Sequence, residues 1–291
     1  MEAADALASA PKRSVGRRLA DLFHGRPRLQ VGSLLSGPIA WLVIGYLGSL
    51  AVLLIASSYL IGQLTAGQDV KIIKDLGLAA TSVFGLFIAI FIGIGLVSKE
   101  VERRSIYALL SKPVSRAQFI AGKYAGLVLT LLVNVTVMSV ALYIILGYMV
   151  WTEHPIIRAG WDAPGADPAL LKAIFLIFIE LMLVTALALF FSTFSSPILS
   201  AALTFGFYIA GHFNADLKNF EKVVNSRPAA LLARGVYHVL PDLSAFDVKT
   251  EVVHGLPVTT GYLVTTTAYG LAYVAALLLV ATFIFSRRDF K

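Results

Sequence analysis

Few residues in this chain could do chemistry, and they are widely spaced. Glu180 stands alone in the apolar run LIFIELML. An acid at such a depth costs about 2.5–3.5 kcal/mol on membrane-insertion scales, so it requires a partner or water. Two roles fit it. It is either a polar point on a substrate or proton path, or a protonated acid hydrogen-bonded to Asn134, Thr136 or another span that braces the bundle or a dimer interface. His212 closes another apolar run, as an interfacial or hydrogen-bonded imidazole or as a proton relay. Asn134, Glu180 and His212 are therefore the candidate pathway residues. The other histidines, His24, His154, His238 and His254, are scattered over separate segments and lack metal-ligand spacing. With no cysteine in the chain, disulfides, thiolate metal sites and Cys nucleophiles are excluded. The sequence contains no P-loop, HExxH or GxSxG. Gly93-Ile94-Gly95 lies within an apolar run, without the strand–turn–helix setting of a nucleotide site, and reads as a packing feature together with Gly85, Gly45 and Gly48. The chain is not expected to hydrolyse ATP or to bind a cofactor or metal of its own.

A second polar feature is the stretch SKEVERRSIYALLSKPVSRAQFIAGK, which begins at Ser98 and holds six of the 24 Lys and Arg residues. Glu100 to Ser111 reads as a short amphipathic helix, with Val101, Ile106, Leu109 and Leu110 on one side. Lys112-Pro113 stops it, because Pro lacks an N–H and pushes its predecessor out of the α region. Ser115-Arg116-Ala117-Gln118 then restarts a helix as a capping box. Topology alone needs neither a Pro stop nor a cap. The pattern suits an element that receives a push from a partner.

These residues must be positioned by a membrane bundle. The chain has 291 residues, 58% hydrophobic and 14% charged, against roughly 25% charged in a soluble domain. Repeated apolar runs longer than ~18 residues make it an all-α integral membrane protein. Six spans are expected at about 38–62, 77–97, 125–150, 173–194, 198–213 and 262–285, following an interfacial segment 1–37. Within that segment, residues 17–24 are either a short amphipathic helix on an anionic surface or part of a basic tail that fixes orientation; it is not expected to be a signal peptide. Trp41, Tyr59, Trp151 and Tyr262 fall near span ends, where interfacial aromatics belong. Placing both termini in the cytoplasm puts 15 of the 24 Lys and Arg inside and 9 outside, and the margin widens if the long loop 214–261 is set aside as a folded element. Residues 228–240 in that loop, PAALLARGVYHVL, are too short to span and read as interfacial or re-entrant. The fifth span, 16 residues long, either tilts little or ends in a protein-lined cavity.

With six spans and the motif between the second and third, the chain resembles the permease subunit of a type-2 ABC transporter. In that family a segment of the form E-x-E-x-(G/R)-(T/S)-(I/L)-x-x-L-L-(S/A)-x-P-(V/I)-(S/T)-R-x-x-(F/I)-x-x-G-K holds the coupling helix. Residues 100–123 follow it, with Arg104 where many members have Gly. Weaker likeness at 72–78, at Phe191-Ser192-Thr193-Phe194-Ser195-Ser196-Pro197 and at the C-terminus resembles a subset labelled permeases for multicopper-enzyme maturation. The resemblance implies a cytoplasmic coupling helix whose Glu100, Glu102, Arg103, Arg104, Ile106, Leu109, Pro113 and Arg116 face an ABC ATPase subunit. It further implies ATP and Mg on that partner, a second permease chain in a homo- or heterodimer, export, and a place in a cell membrane, in bacteria the inner one. No role with nucleic acid is expected. Two readings of other classes remain: an ATP-independent proton-coupled transporter using Glu180, and a membrane scaffold.

Overall fold

The computed structural model describes residues 69–102, 116–161, 163–213 and 240–287, all helix, turn or irregular chain without a strand among them. The segment 1–37, the expected first span with Trp41, Gly45, Gly48 and Tyr59, the motif core 103–115 and residues 228–239 lie outside the described residues. The helices are α1 (Asp69–Glu102), α2 (Arg116–Thr152), α3 (Pro155–Ala159), α4 (Leu170–Ser192), α5 (Pro197–His212), α6 (Lys249–Val253) and α7 (Thr260–Arg287). A single 3₁₀ turn at Ser244–Phe246 precedes α6. Four stretches are long and apolar enough to cross a membrane: Val70–Phe91, Ala117–Thr152, Leu170–Ser192 and Thr260–Ser286.

Two expectations about α1 need correction. The second span was placed at 77–97, with Lys71 and Lys74 in the preceding loop, whereas the chain is already helical at Asp69 and the apolar window begins at Val70. Lys74 can lie inside because its charge is met: it is 1% exposed, its Nζ donates to the Pro164 carbonyl at 2.7 Å, and Asp167 stands near enough to act on it electrostatically. The expected helix from Glu100 does not begin as a separate element either. α1 runs unbroken through Glu102, since residues 96–102, LVSKEVE, offer neither Gly nor Pro to stop it. At 34 and 37 residues, α1 and α2 are each roughly 50 Å long, well beyond a hydrocarbon core of ~30 Å. The other boundaries fall within about three residues of expectation, apart from α2, which is already helical at Arg116, nine residues before the expected span; the capping residue Ser115 lies outside the described residues.

The centre of the bundle is α4, 78% of whose apolar window is buried, against 28% for α2 and 22% for α7. It packs against α1, α2, α5 and α7. Close approach of α1 depends on missing side chains: a Cβ on Gly85 would run into Leu181, and one on Gly93 into Ala188, while Gly77 admits Leu142 of α2. Hydroxyls in this core bond within their own helices, as Thr81 does to Gly77, Thr185 to Leu181 and Thr204 to Ser200, so no unmet donor is left there by these three.

The two ends of the bundle differ. One, the turn end, carries the Ser192-to-Pro197 reversal, Arg116 and the end of α7. There the Phe119 and Phe285 rings stack with centroids 6.0 Å apart, and Lys123 Nζ lies 5.3 Å from the Phe119 centroid. The other, the loop end, gathers the starts of α1, α4 and α7, tied by Lys74 to Pro164 and by Lys172 Nζ to the Val258 carbonyl.

Candidate functional site

α5 has 16 residues, about 24 Å at 1.5 Å per residue, and stops short of the loop end. Residues 240–253 fill the space above it. The Leu243 N–H donates to the Gly211 carbonyl at 3.1 Å, and Gly211 is Gly where a Cβ would meet Leu243 and the Pro241 carbonyl. Leu243, Phe246 and Val252 are fully buried, Phe246 against Ile179 and Gly270. Each is worth about 1.5–3 kcal/mol relative to exposure in water. Apolar anchoring thus seats this segment on α1 and α4 and sets the half-buried Lys249 and the exposed Asp247 at the edge of the packed core.

Glu180 lies about 15 Å along α4 from Leu170 and is 1% exposed. His212 Nε2 is 3.4 Å from its Oε1, within ion-pair range but too poorly aligned for a hydrogen bond. The Tyr208 hydroxyl bonds to the same carboxyl, and Asp247 and Lys249 act on it electrostatically. Tyr208 and His212 share a face of α5 by their four-residue spacing, with rings 4.5 Å apart. Asp247 and Lys249 pair with each other at 3.3 Å.

Proton placement follows from donors and acceptors. His212 Nδ1 lies 3.2 Å from the Tyr208 carbonyl, which can only accept, so Nδ1 carries a hydrogen. In a neutral ring, Nε2 then presents a lone pair to Glu180. The contact is attractive only if one further proton resides on the pair, either on the carboxyl or on Nε2. The arrangement is therefore a buried carboxyl with a half-buried imidazole in ion-pair range and a phenol beside it, beneath the 240–253 segment.

Asn134 is not part of it. Its Nδ2 donates to the Thr130 carbonyl of its own helix, and Thr136 bonds to Leu132 in the same way. Of the expected partners of Glu180, which were Asn134, Thr136 or another span, the structure gives another span, with His212 and Tyr208 of α5, because α5 rather than α2 turns its polar face to that level of α4. Of the expected coupling residues, Glu100 and Glu102 close α1 and Arg116 opens α2, whereas Arg103, Arg104, Ile106, Leu109 and Pro113 lie outside the described residues. Sequence reading missed Tyr208, Asp247 and Lys249. The spacing of Tyr208 and His212 was the available signal for the first; nothing local marks the other two.

The comparison with protein families is consistent with this architecture. The family described as ABC-2 family transporter protein matches residues 47–290, a stretch that takes in every described helix and the whole motif. A search of curated proteins found no match. The chain is a multi-pass membrane protein and belongs to the ABC-2 family of transporter permeases.

Proposed function

We propose that the chain is the permease subunit of an ATP-driven exporter, energised by a separate ABC ATPase that docks on residues 99–123. The observation that carries this reading is the continuity of α1 and α2 with the two ends of the motif. A displacement of residues 103–115 would move two helices of roughly 50 Å as rigid levers, the hinge-and-shear coupling that separates inward- from outward-facing states. ATP and Mg belong to the partner. Two permease chains would form the pathway, with termini and motif in the cytoplasm and the loop end outside, in a bacterial inner membrane. Co-purification tests it. The ATPase should be retained by the native chain and lost when Glu102 and Arg104 are reversed in charge; retention by the reversed variant would overturn the docking assignment.

The buried Glu180 carboxyl in ion-pair range of His212 supports a second reading, an ATP-independent transporter driven by a proton gradient. It requires transport by the chain alone in proteoliposomes under a pH gradient. The exporter requires none without ATPase and ATP.

A further inference from the structure

One face of α7 lines two adjoining cavities of opposite character. The first, of 420 Å³, is bounded by Asp242, Thr265, Thr266, Tyr269 and Tyr273. The second, of 250 Å³, lies further along α7 toward the turn end, among Phe190, Phe207, Ala276 and Val280. Tyr273 belongs to both. Ala276 and Val280 are exposed, so the apolar cavity opens sideways on the flank of the bundle.

Among the described residues the polar cavity has one charge, that of Asp242. Asp242 Oδ1 is held by the Ser244 hydroxyl at 2.6 Å and the Ser244 N–H at 3.1 Å, and the Asp242 N–H donates to the Tyr269 hydroxyl at 2.8 Å. Tyr269 and Tyr273 meet edge to face with centroids 5.0 Å apart. A fixed carboxylate beside tyrosine rings attracts an ammonium by charge and by cation–π contact. Among the described residues no Lys, Arg or His lines either cavity.

We propose that these cavities bind a single-chain cationic amphiphile, its amine at Asp242 and its alkyl chain past Tyr273 among Phe190, Phe207 and Ala276. Calling that ligand cargo rests on the permease reading; binding does not.

The test uses the full chain in phosphatidylcholine nanodiscs, without ATPase or nucleotide, and a photoreactive dodecylammonium probe alongside a dodecyl sulfate probe of equal length. Labelling is mapped by mass spectrometry and normalised to an α2 peptide bearing the exposed Leu129 and Val133. The ammonium probe should label the α7 peptide spanning 265–280 about tenfold more than the sulfate, the scale of a charge-assisted contact. Asp242→Asn should abolish the preference, and Ala276→Phe, which fills the apolar cavity without touching the acid, should remove the label. Equal labelling by both probes in the native chain overturns the proposal, as does unchanged labelling in folded Ala276→Phe. Because no ATPase is present, a chain that fails to dock one can still give the positive result.

Discussion

Truncating Glu180 to Ala would leave the Tyr208 hydroxyl and His212 Nε2 facing an apolar void. An unmet buried polar group costs about 1–3 kcal/mol, so Glu180→Ala should unfold at lower temperature in detergent. Glu180→Gln keeps the shape, and its amide can either donate to Nε2 or accept from it, so its stability should stay within about 1 kcal/mol of the native chain. Thermal unfolding of both variants checks this, and equal losses would show that shape rather than hydrogen bonding holds the site. The acid itself was legible in the sequence, since a carboxyl within an apolar run announces that it needs a partner. Which partner was not legible: Asn134 and His212 were both polar residues on other helices, and only the rotation of α5 about its axis separates them. Asp247 and Lys249 were hidden more deeply, because their position near Glu180 depends on Leu243 and Phe246 anchoring a loop that charge counting treats as outside.

Helices were easier to read than their ends. Apolar runs place α4, α5 and α7 closely, because hydrophobic length is a property of consecutive residues. The start of α1 was misjudged because Lys71 and Lys74 look like loop residues until the Pro164 carbonyl, 90 positions away, is brought to Lys74. Its far end was misjudged for the converse reason: charge marks the membrane surface, but only a breaker ends a helix. The glycines of α1 were legible as contact sites, and Gly85 and Gly93 do meet α4. Gly93→Leu should therefore separate α1 from Ala188 and the nearby Thr185 carbonyl. Overpacking of a close-packed core costs typically about 1–3 kcal/mol, and part of this clash is with Ala188, which cannot swing aside. Gly122→Leu, with open space around its position, is the matched control. Thermal unfolding should fall for the first and stay within about 1 kcal/mol for the second, and similar behaviour of the two would remove the packing role assigned to Gly93.

At the scale of the whole molecule, a push at the turn end must reach helices that the motif does not contain. α2 touches α7 there through Phe119 and Phe285, and Phe285 is 7% exposed. Phe119 stands in the motif and Phe285 near the C-terminus, so their contact joins the two stretches that the family likeness had marked separately. Through it, motion of α2 would be passed to α7, which also lines the two cavities. Ring pairs of this kind contribute about 0.5–1.5 kcal/mol beyond their area, a shift of about two- to twelve-fold in a two-state equilibrium. Phe285→Leu retains most of the apolar volume and loses the stacking. In the reconstituted complex it should leave ATPase co-purification intact, since the docking residues are untouched, and lower transport per ATP hydrolysed by about two- to twelve-fold. Loss of co-purification would mean that Phe285 supports the docking surface itself. Unchanged transport per ATP would mean that α7 takes its motion from α4, which it also packs against, and not from the Phe119 contact.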